Sequence, residues 1–256
     1  MSKAIAMLSL LIVVALAFQE TLAAGETAPH PLLDQDRATL AKSLDAEIDE
    51  TTRVIEQSPD GLQEYSRRGD ALFFRGRFGA AVEDYDKTVE LKPGLADSHW
   101  RRGIALFYAG SFEKAAGQFE RYHTYDNVDR ENGIWRYFSQ TKAYGKERAQ
   151  QDLLKYKKDD REPFPSVYRL FQGKISPREI IDEIESAQIG ADEKEKRRFY
   201  AHLYIGLNFA LGENSEAALL HLHAAVANRW PREAGYGPRY MWHVGRIHYE
   251  LLAEAP

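Results

Sequence analysis

Apolar side chains recur at helical spacing in several segments of this chain. Leu40, Leu44, Ile48, Val54 and Ile55 precede Pro59, which predicts one long helix, because residues three and four apart share a face of an α-helix. Met241, Val244, Ile247, His248 and Leu251 mark a comparable face between Tyr240 and Leu252. Ser176-Pro177-Arg178-Glu179 reads as a helix start, with Ser at the N-cap, Pro at the first helical position and Glu placed to close a capping box ahead of Ile180, Ile181 and Ile184. The beginning of the chain follows another pattern. Lys3 precedes an uncharged, mostly apolar run from Ala4 to Phe18, followed by Thr21-Leu22-Ala23-Ala24. That run is short of the ~20 residues a helix needs to span hydrocarbon, and the small residues suit signal-peptidase cleavage. Residues 1–23 therefore read as a secretory signal peptide and the protein as exported, periplasmic or secreted; an uncleaved signal would leave a membrane anchor.

A repeat is superimposed on the helical pattern. Sliding the stretch from Tyr65 to Pro93 by 34 residues brings Gly69 onto Gly103, Leu72 onto Leu106, Gly76 onto Gly110, Phe78 onto Phe112, Ala81 onto Ala115 and Tyr85 onto Phe119. Gly69 and Gly103 fall inside helices, where Gly costs ~1 kcal/mol; that is tolerable where a second helix comes close, with Ala81 and Ala115 offering a small surface. Gly76 and Gly110 end the first helix of each unit, Phe78 and Phe112 open the second, and Pro93 closes the unit. On these residues the chain resembles the tetratricopeptide repeat family, built of 34-residue helix–turn–helix units. The resemblance implies an all-α fold, a right-handed α-solenoid of stacked helix pairs.

The signature returns at Ile205-Gly206, Phe209, Ala218, Leu222, Ala225 and Pro231, which leaves room for two degenerate units. One has Ile134, Trp135, Tyr137 and Phe138 in its first helix and Leu153 and Leu154 in its second. The other pairs a short helix around Val167 to Phe171 with the helix starting at Ser176. The expected organisation is a signal (1–23), an N-terminal helix or half-repeat (30–59), two well-formed units (62–127), two degenerate units (128–190), a further unit (195–231) and a C-terminal helix (238–253). Pro231 to Pro238 reads as a linker, and the last helix as a cap on the apolar end of the stack.

Composition narrows the function. A chain of 256 residues with 44% hydrophobic and 29% charged residues can bury a core. The absence of cysteine excludes disulfides, thiol nucleophiles, Cys-based metal sites and a lipid-bearing N-terminal Cys. A net charge of −5, spread over 34 basic and 39 acidic residues, gives no footprint for nucleic acid. His221 and His223 are two apart and point to different helix faces, and no HExxH, GxGxxG, P-loop or GxSxG string occurs. Asp159-Asp160 and Asp192-Glu193 read as acids of turns and first helical turns. Lys194, Lys196, Arg197 and Arg198 interleave with Glu193 and Glu195 as a solvated face with internal ion pairs. The expectation is no enzyme, no cofactor and no metal.

What remains is the groove that stacked helix pairs enclose. Arg67, Trp100-Arg101 and Trp135-Arg136 recur 34 and then 35 residues apart, so the three arginines would form a ladder, with Phe73, Phe107 and Tyr108 two turns further on. Trp, Tyr and Arg are enriched at binding hot spots. The candidate partner-binding residues are thus Arg67, Phe73, Trp100, Arg101, Phe107, Tyr108, Trp135 and Arg136. An internal use is equally open: the aromatics filling the space between units and the arginines pairing with acids such as Asp70 and Asp97. Some members of the repeat family hold a partner's C-terminal carboxylate with a Lys/Asn clamp, where this chain has Ser66 and Asp70.

Three longer strings, Ser98-His99-Trp100-Arg101-Arg102-Gly103-Ile104-Ala105-Leu106-Phe107-Tyr108, Tyr168-Arg169-Leu170-Phe171-Gln172-Gly173-Lys174-Ile175-Ser176 and Ala224-Ala225-Val226-Ala227-Asn228, are similar to the bacterial envelope adaptors of the new-lipoprotein-I type. The resemblance implies a non-catalytic protein–protein interaction scaffold of the bacterial cell envelope, with an envelope protease or a peptidoglycan hydrolase as the class of partner. Without a Cys to carry lipid, the sequence favours a soluble exported form. The alternative is a structural protein that self-associates as a homodimer through its aromatic faces.

Overall fold

Every second helix from Leu62 on is stopped by a residue in the left-handed conformation and the next begins shortly afterwards. Gly76 (φ 73°) and Gly110 (φ 76°) sit just past two helices, and the bonds Arg77 N–H to Leu72 O and Ser111 N–H to Leu106 O, 2.8 and 2.9 Å, close the paired C-terminal bonds of a Schellman motif. Only Gly takes such a φ without a steric cost. These stops end α2 (Leu62–Phe74) and α4 (Trp100–Tyr108), which alternate with α1 (Asp34–Gln57), α3 (Phe78–Leu91) and α5 (Phe112–Tyr125). There follow α6 (Arg130–Tyr144), α7 (Lys146–Gln151), α8 (Phe164–Phe171), α9 (Pro177–Ser186), α10 (Ala191–Leu211), α11 (Ser215–Ala227), α12 (Trp230–Glu233) and α13 (Tyr236–Ala253).

This computed structural model describes residues 30–158 and 160–255; the expected signal at 1–23 and Asp159 lie outside the described residues. The protein is all-α, with no strand among the described residues. No helix among them is long and apolar enough to cross a membrane.

Helices adjacent in sequence are adjacent in space, most extensively α10 with α11, α2 with α3, α5 with α6, α1 with α2 and α4 with α5. The repeated glycines account for the closeness of three of these pairs. A Cβ on Gly69 would stand 2.7 Å from the Tyr85 ring, one on Gly103 2.5 Å from the Phe119 ring, and one on Gly206 2.8 Å from Leu222. A large side chain, not the small face of Ala81 or Ala115, therefore fills the space that each glycine leaves. Tyr85 and Phe119 are completely buried there.

The degenerate region departs from the expected pairing. The second helix expected to carry Leu153 and Leu154 stops earlier: α7 ends at Gln151, and both leucines lie in the non-helical stretch that runs to Phe164. That stretch is dense in charge, from Lys155 to Glu162, and ends in Pro163-Phe164-Pro165, which lacks two backbone donors. The start at Ser176 forms as its residues dictate, with both reciprocal bonds of the capping box present.

The C-terminal helix differs most. Pro238 lies in the first turn of α13, where its missing N–H is no loss, so the expected linker shrinks to the few residues around α12. Nor is α13 a cap with one wet face. Tyr240, Met241, Trp242, His243, Val244, Gly245, Arg246, Ile247 and Tyr249 are all buried, which requires neighbours on every side. On one side Trp242 Nε1 donates to Val226 O of α11 at 2.9 Å. On the other, Tyr240 stacks on Phe73 of α2 at 5.3 Å and meets Trp100 of α4 edge-on at 4.8 Å, while His243 stacks on Phe74 at 3.8 Å. Arg246 donates to Phe74 O at 2.5 Å, at the C-terminal end of the α2 dipole. The last helix thus joins the last helix pair to the first two.

Candidate functional site

The closure by α13 decides what the candidate groove residues do. Phe73, Phe107 and Trp135 are core residues, between 0% and 7% exposed, and Tyr108 is half-buried, its ring packed on Phe73 and its hydroxyl 3.0 Å from His248 Nδ1. Trp135 lies edge-on to Phe107 and stacks on Phe119, filling the space between α4, α5 and α6. The arginines form no ladder, because each turns to a different neighbour. Arg67 pairs with Glu47 of α1 at 2.6 Å. Arg101 pairs with Asp70 at 2.7 Å and also donates to Ser66 and to Tyr236 of α13. Arg136 is buried and donates to Asp152 O at 2.6 Å, with Glu120 3.5 Å away. Of the eight candidates, Trp100 and Trp135 come together at an opening.

That opening is a cleft of about 370 Å³. Trp100 and Ile104 of α4, Glu131 and Trp135 of α6, Lys196 and Tyr200 of α10, Trp230 of α12 and Met241 of α13 line it, together with Asp129, Arg161 and the start of α13. Three of the four tryptophans therefore face one space. The indole N–H of Trp135 is buried and has no hydrogen-bond acceptor.

The polar wall is built around the first turn of α6. Asp129 is its N-cap, accepting the Glu131 N–H at 3.0 Å and the Asn132 side-chain amide at 2.6 Å. Asp160, arriving from the long non-helical stretch, accepts the Arg130 N–H at 3.3 Å, so two carboxylates meet the positive end of one helix. Arg161 lies among the acids: its guanidinium is 2.5 Å from Glu131, 3.0 Å from Asp160 and 3.5 Å from Asp129, and stacks over the Phe164 ring. Tyr204 donates to the other Glu131 oxygen.

Burial pushes the Glu131 carboxyl up to about 7; Asp129 and Asp160 add to the shift, and Arg161 and the Tyr204 hydroxyl oppose it. Burial also raises Asp129, against Arg161. Burial by itself would lower Arg161, but Glu131, Asp129 and Asp160 raise it, so it stays charged. Lys196, on the opposite wall, pairs with Glu193 at 2.5 Å. The rest of its basic run does form ion pairs along and beside α10, Arg197 with Glu193 and Arg198 with Glu195 and Glu185. Among the described residues no group of three or more His, Asp or Glu is arranged to hold a metal ion.

No protein-family model matches this chain, and no curated protein matches it.

Asp129, Glu131, Arg161, Lys196, Tyr200 and Trp230 are among the members of the cleft that sequence reasoning missed. A local signal existed for Asp129, an Asx residue directly before a helix, and for Glu131, one turn ahead of Trp135 on the same face. None existed for Arg161 or Trp230, which the fold brings in from distant segments.

Proposed function

We propose that this chain is a right-handed α-solenoid of the tetratricopeptide type, and that it acts as a non-catalytic adaptor of the bacterial cell envelope, taking a segment of a partner protein into the cleft between α4, α6, α10 and α13. The observation that carries this reading is the cleft itself, where Trp100, Trp135 and Trp230 line one space. Indoles combine large contact area with a polar handle, and walls already held by packing limit the ordering cost of binding. The repeat reading is supported by the glycine–aromatic approaches at Gly69 and Gly103 and by the matching helix stops at Gly76 and Gly110. The Glu131 oxygens already accept from Arg161 and Tyr204, which suits a group held in place in a wall better than a proton shuttle. The envelope setting, and a protease or peptidoglycan hydrolase as partner, rest on the sequence resemblance and the expected signal.

A photo-crosslinking residue at Gly237, on the rim of the cleft, tests the proposal against the same residue at Lys114 on the exposed face of α5. In envelope fractions of the native host, adducts are expected from position 237, not from 114, and are expected to disappear in Trp100→Ala. Equal adducts from both positions, or adducts from 237 that survive Trp100→Ala, would overturn it.

A further inference from the structure

The chemistry of the guest can be read from the walls; this inference rests on the cleft being the binding site. The arginines that might have welcomed an acidic segment are engaged inside the fold, Arg67 with Glu47, Arg101 with Asp70, Arg136 with Asp152 O. At the cleft the balance is the reverse. Three carboxylates, those of Asp129, Glu131 and Asp160, gather around the single guanidinium of Arg161 at 2.5 to 3.5 Å. Lys196, the other cation of the lining, shares the Glu193 carboxylate of its own helix with Arg197.

We infer that the cleft takes an Arg or Lys side chain presented by an otherwise uncharged, extended segment of the partner protein, its cation lying between the Trp100 and Trp230 indoles and the Asp129–Glu131 wall. Indole faces attract cations, most strongly where water is excluded, and the excess of carboxylates favours the same sign of charge. An acidic guest would meet Asp129 and Glu131 directly, a like-charge contact that interfaces avoid. The cleft itself supplies the second, independent observation: beside the carboxylates it is lined by Trp100, Ile104, Trp230 and Met241, an apolar surface that takes the aliphatic stem of such a side chain while its cation reaches Asp129 and Glu131. The volume lies near the lower end of ligand pockets, ~300–1,000 Å³, which suits one long side chain and its flanking backbone.

A consequence follows for pH. The groups that face Glu131 are Arg161 and Asp160 from the long non-helical stretch, Asp129 at the head of α6, and Tyr200, Tyr204 and Lys196 of α10. A bound cation favours the ionised carboxyl of Glu131, which titrates at about 7, so affinity rises with pH. Between pH 6 and 8 the ionised fraction of such a group changes by about tenfold, and the dissociation constant is expected to fall by up to that factor.

The experiment uses the full chain and four acetylated, amidated heptapeptides, Gly-Gly-Gly-Xaa-Gly-Gly-Gly, with Xaa arginine, lysine, norleucine or glutamate, followed by tryptophan fluorescence and calorimetry. At pH 8 the arginine and lysine peptides are expected to bind at least about tenfold tighter than the other two, since the charge contact and the cation–indole contact act together. Lys196→Gln is expected to tighten the arginine peptide, and Glu131→Gln to weaken it and flatten its pH dependence. Should Glu131→Gln fail to fold, Lys196→Gln and the wild-type pH series still decide. Norleucine or glutamate binding as well as arginine would overturn the cationic guest and leave the cleft as a peptide site. No binding by any of the four, or binding unchanged in Trp100→Ala, would overturn the cleft reading itself.

Discussion

At the residue scale, two glycines in neighbouring helices show that the same residue type serves opposite purposes. Gly103 lies where a Cβ would meet the Phe119 ring at 2.5 Å, whereas Gly117, within α5, has only the Arg121 guanidinium 3.9 Å away. Gly103→Ala forces a buried ring out of place, and overpacking of this kind costs ~1–3 kcal/mol. Gly117→Ala, by contrast, gains helix propensity without a clash, ~0.5–1 kcal/mol. Urea denaturation of the two variants is expected to move the midpoint in opposite directions; a loss of stability in both would show that α5 is packed more tightly at Gly117 than these distances indicate. Gly103 was legible from sequence because its spacing repeated. What pressed on it was not, since a ring at Phe119 and a small residue at Ala115 lie on the same helix.

At the scale of the element, the caps were the most readable feature. The residue types at Gly76, Gly110 and Ser176 specify their backbone conformations locally, so these helix ends form where the sequence puts them. The last helix pair breaks the pattern instructively. There the left-handed position belongs to Glu213 (φ 59°), not to Gly212, although the same two C-terminal bonds form, Asn214 N–H to Phe209 O and Glu213 N–H to Ala210 O. A side chain at such a φ costs roughly 1–2 kcal/mol, part of which is offset by the greater freedom of glycine in the unfolded chain. Glu213→Gly is therefore expected to raise stability by ~0.5–1 kcal/mol, and an unchanged or lower thermal midpoint would refute it. The early end of α7 was illegible for the opposite reason. Leu153 and Leu154 look like a helix face, but the charged and Pro-bounded stretch after them is held by contacts to α6, such as Asp160 to the Arg130 N–H, that no local pattern announces.

At the scale of the whole molecule, buried histidines set the response to acid. Burial holds His99 at about 3, and His202, His221 and His248 at about 4, below the ordinary 6.5. Nearby arginines add to the shift at His99, as the neighbouring His221 does at His202. The Nδ1 atoms of His202 and His221 are 3.0 Å apart, a contact that needs one donor and one acceptor, so protonating both rings sets two donors face to face. Between pH 6.5 and 4 the unfolded chain binds protons that the folded chain refuses; the four contributions are whole above 6.5 and are lost on acidification. Glu131 acts in the opposite sense, favouring the folded state below its ordinary 4.5 and losing that benefit as pH rises through 7. Asp129, raised by burial, acts in the same sense as Glu131, but the imidazoles, with His243 held low as well, outnumber these two carboxyls, so the urea midpoint is expected to fall between pH 6.5 and 4.5; a rising midpoint would contradict the burial of these rings. The same division of local and distant runs through the protein. Its sequence by itself determined the helices, most of their ends and the pairing of neighbours, because 3.6-residue periodicity, caps and a 34-residue repeat act over a few turns of chain. Only the tertiary structure decided that α13 lies against α2 and α4, that Arg101 answers Asp70 and Tyr236, and that Arg161 joins Asp129 and Glu131 beside three indoles. Those contacts join residues far apart in the chain, up to 172 positions between Arg246 and Phe74, and depend on which surfaces meet when the helix pairs close on one another.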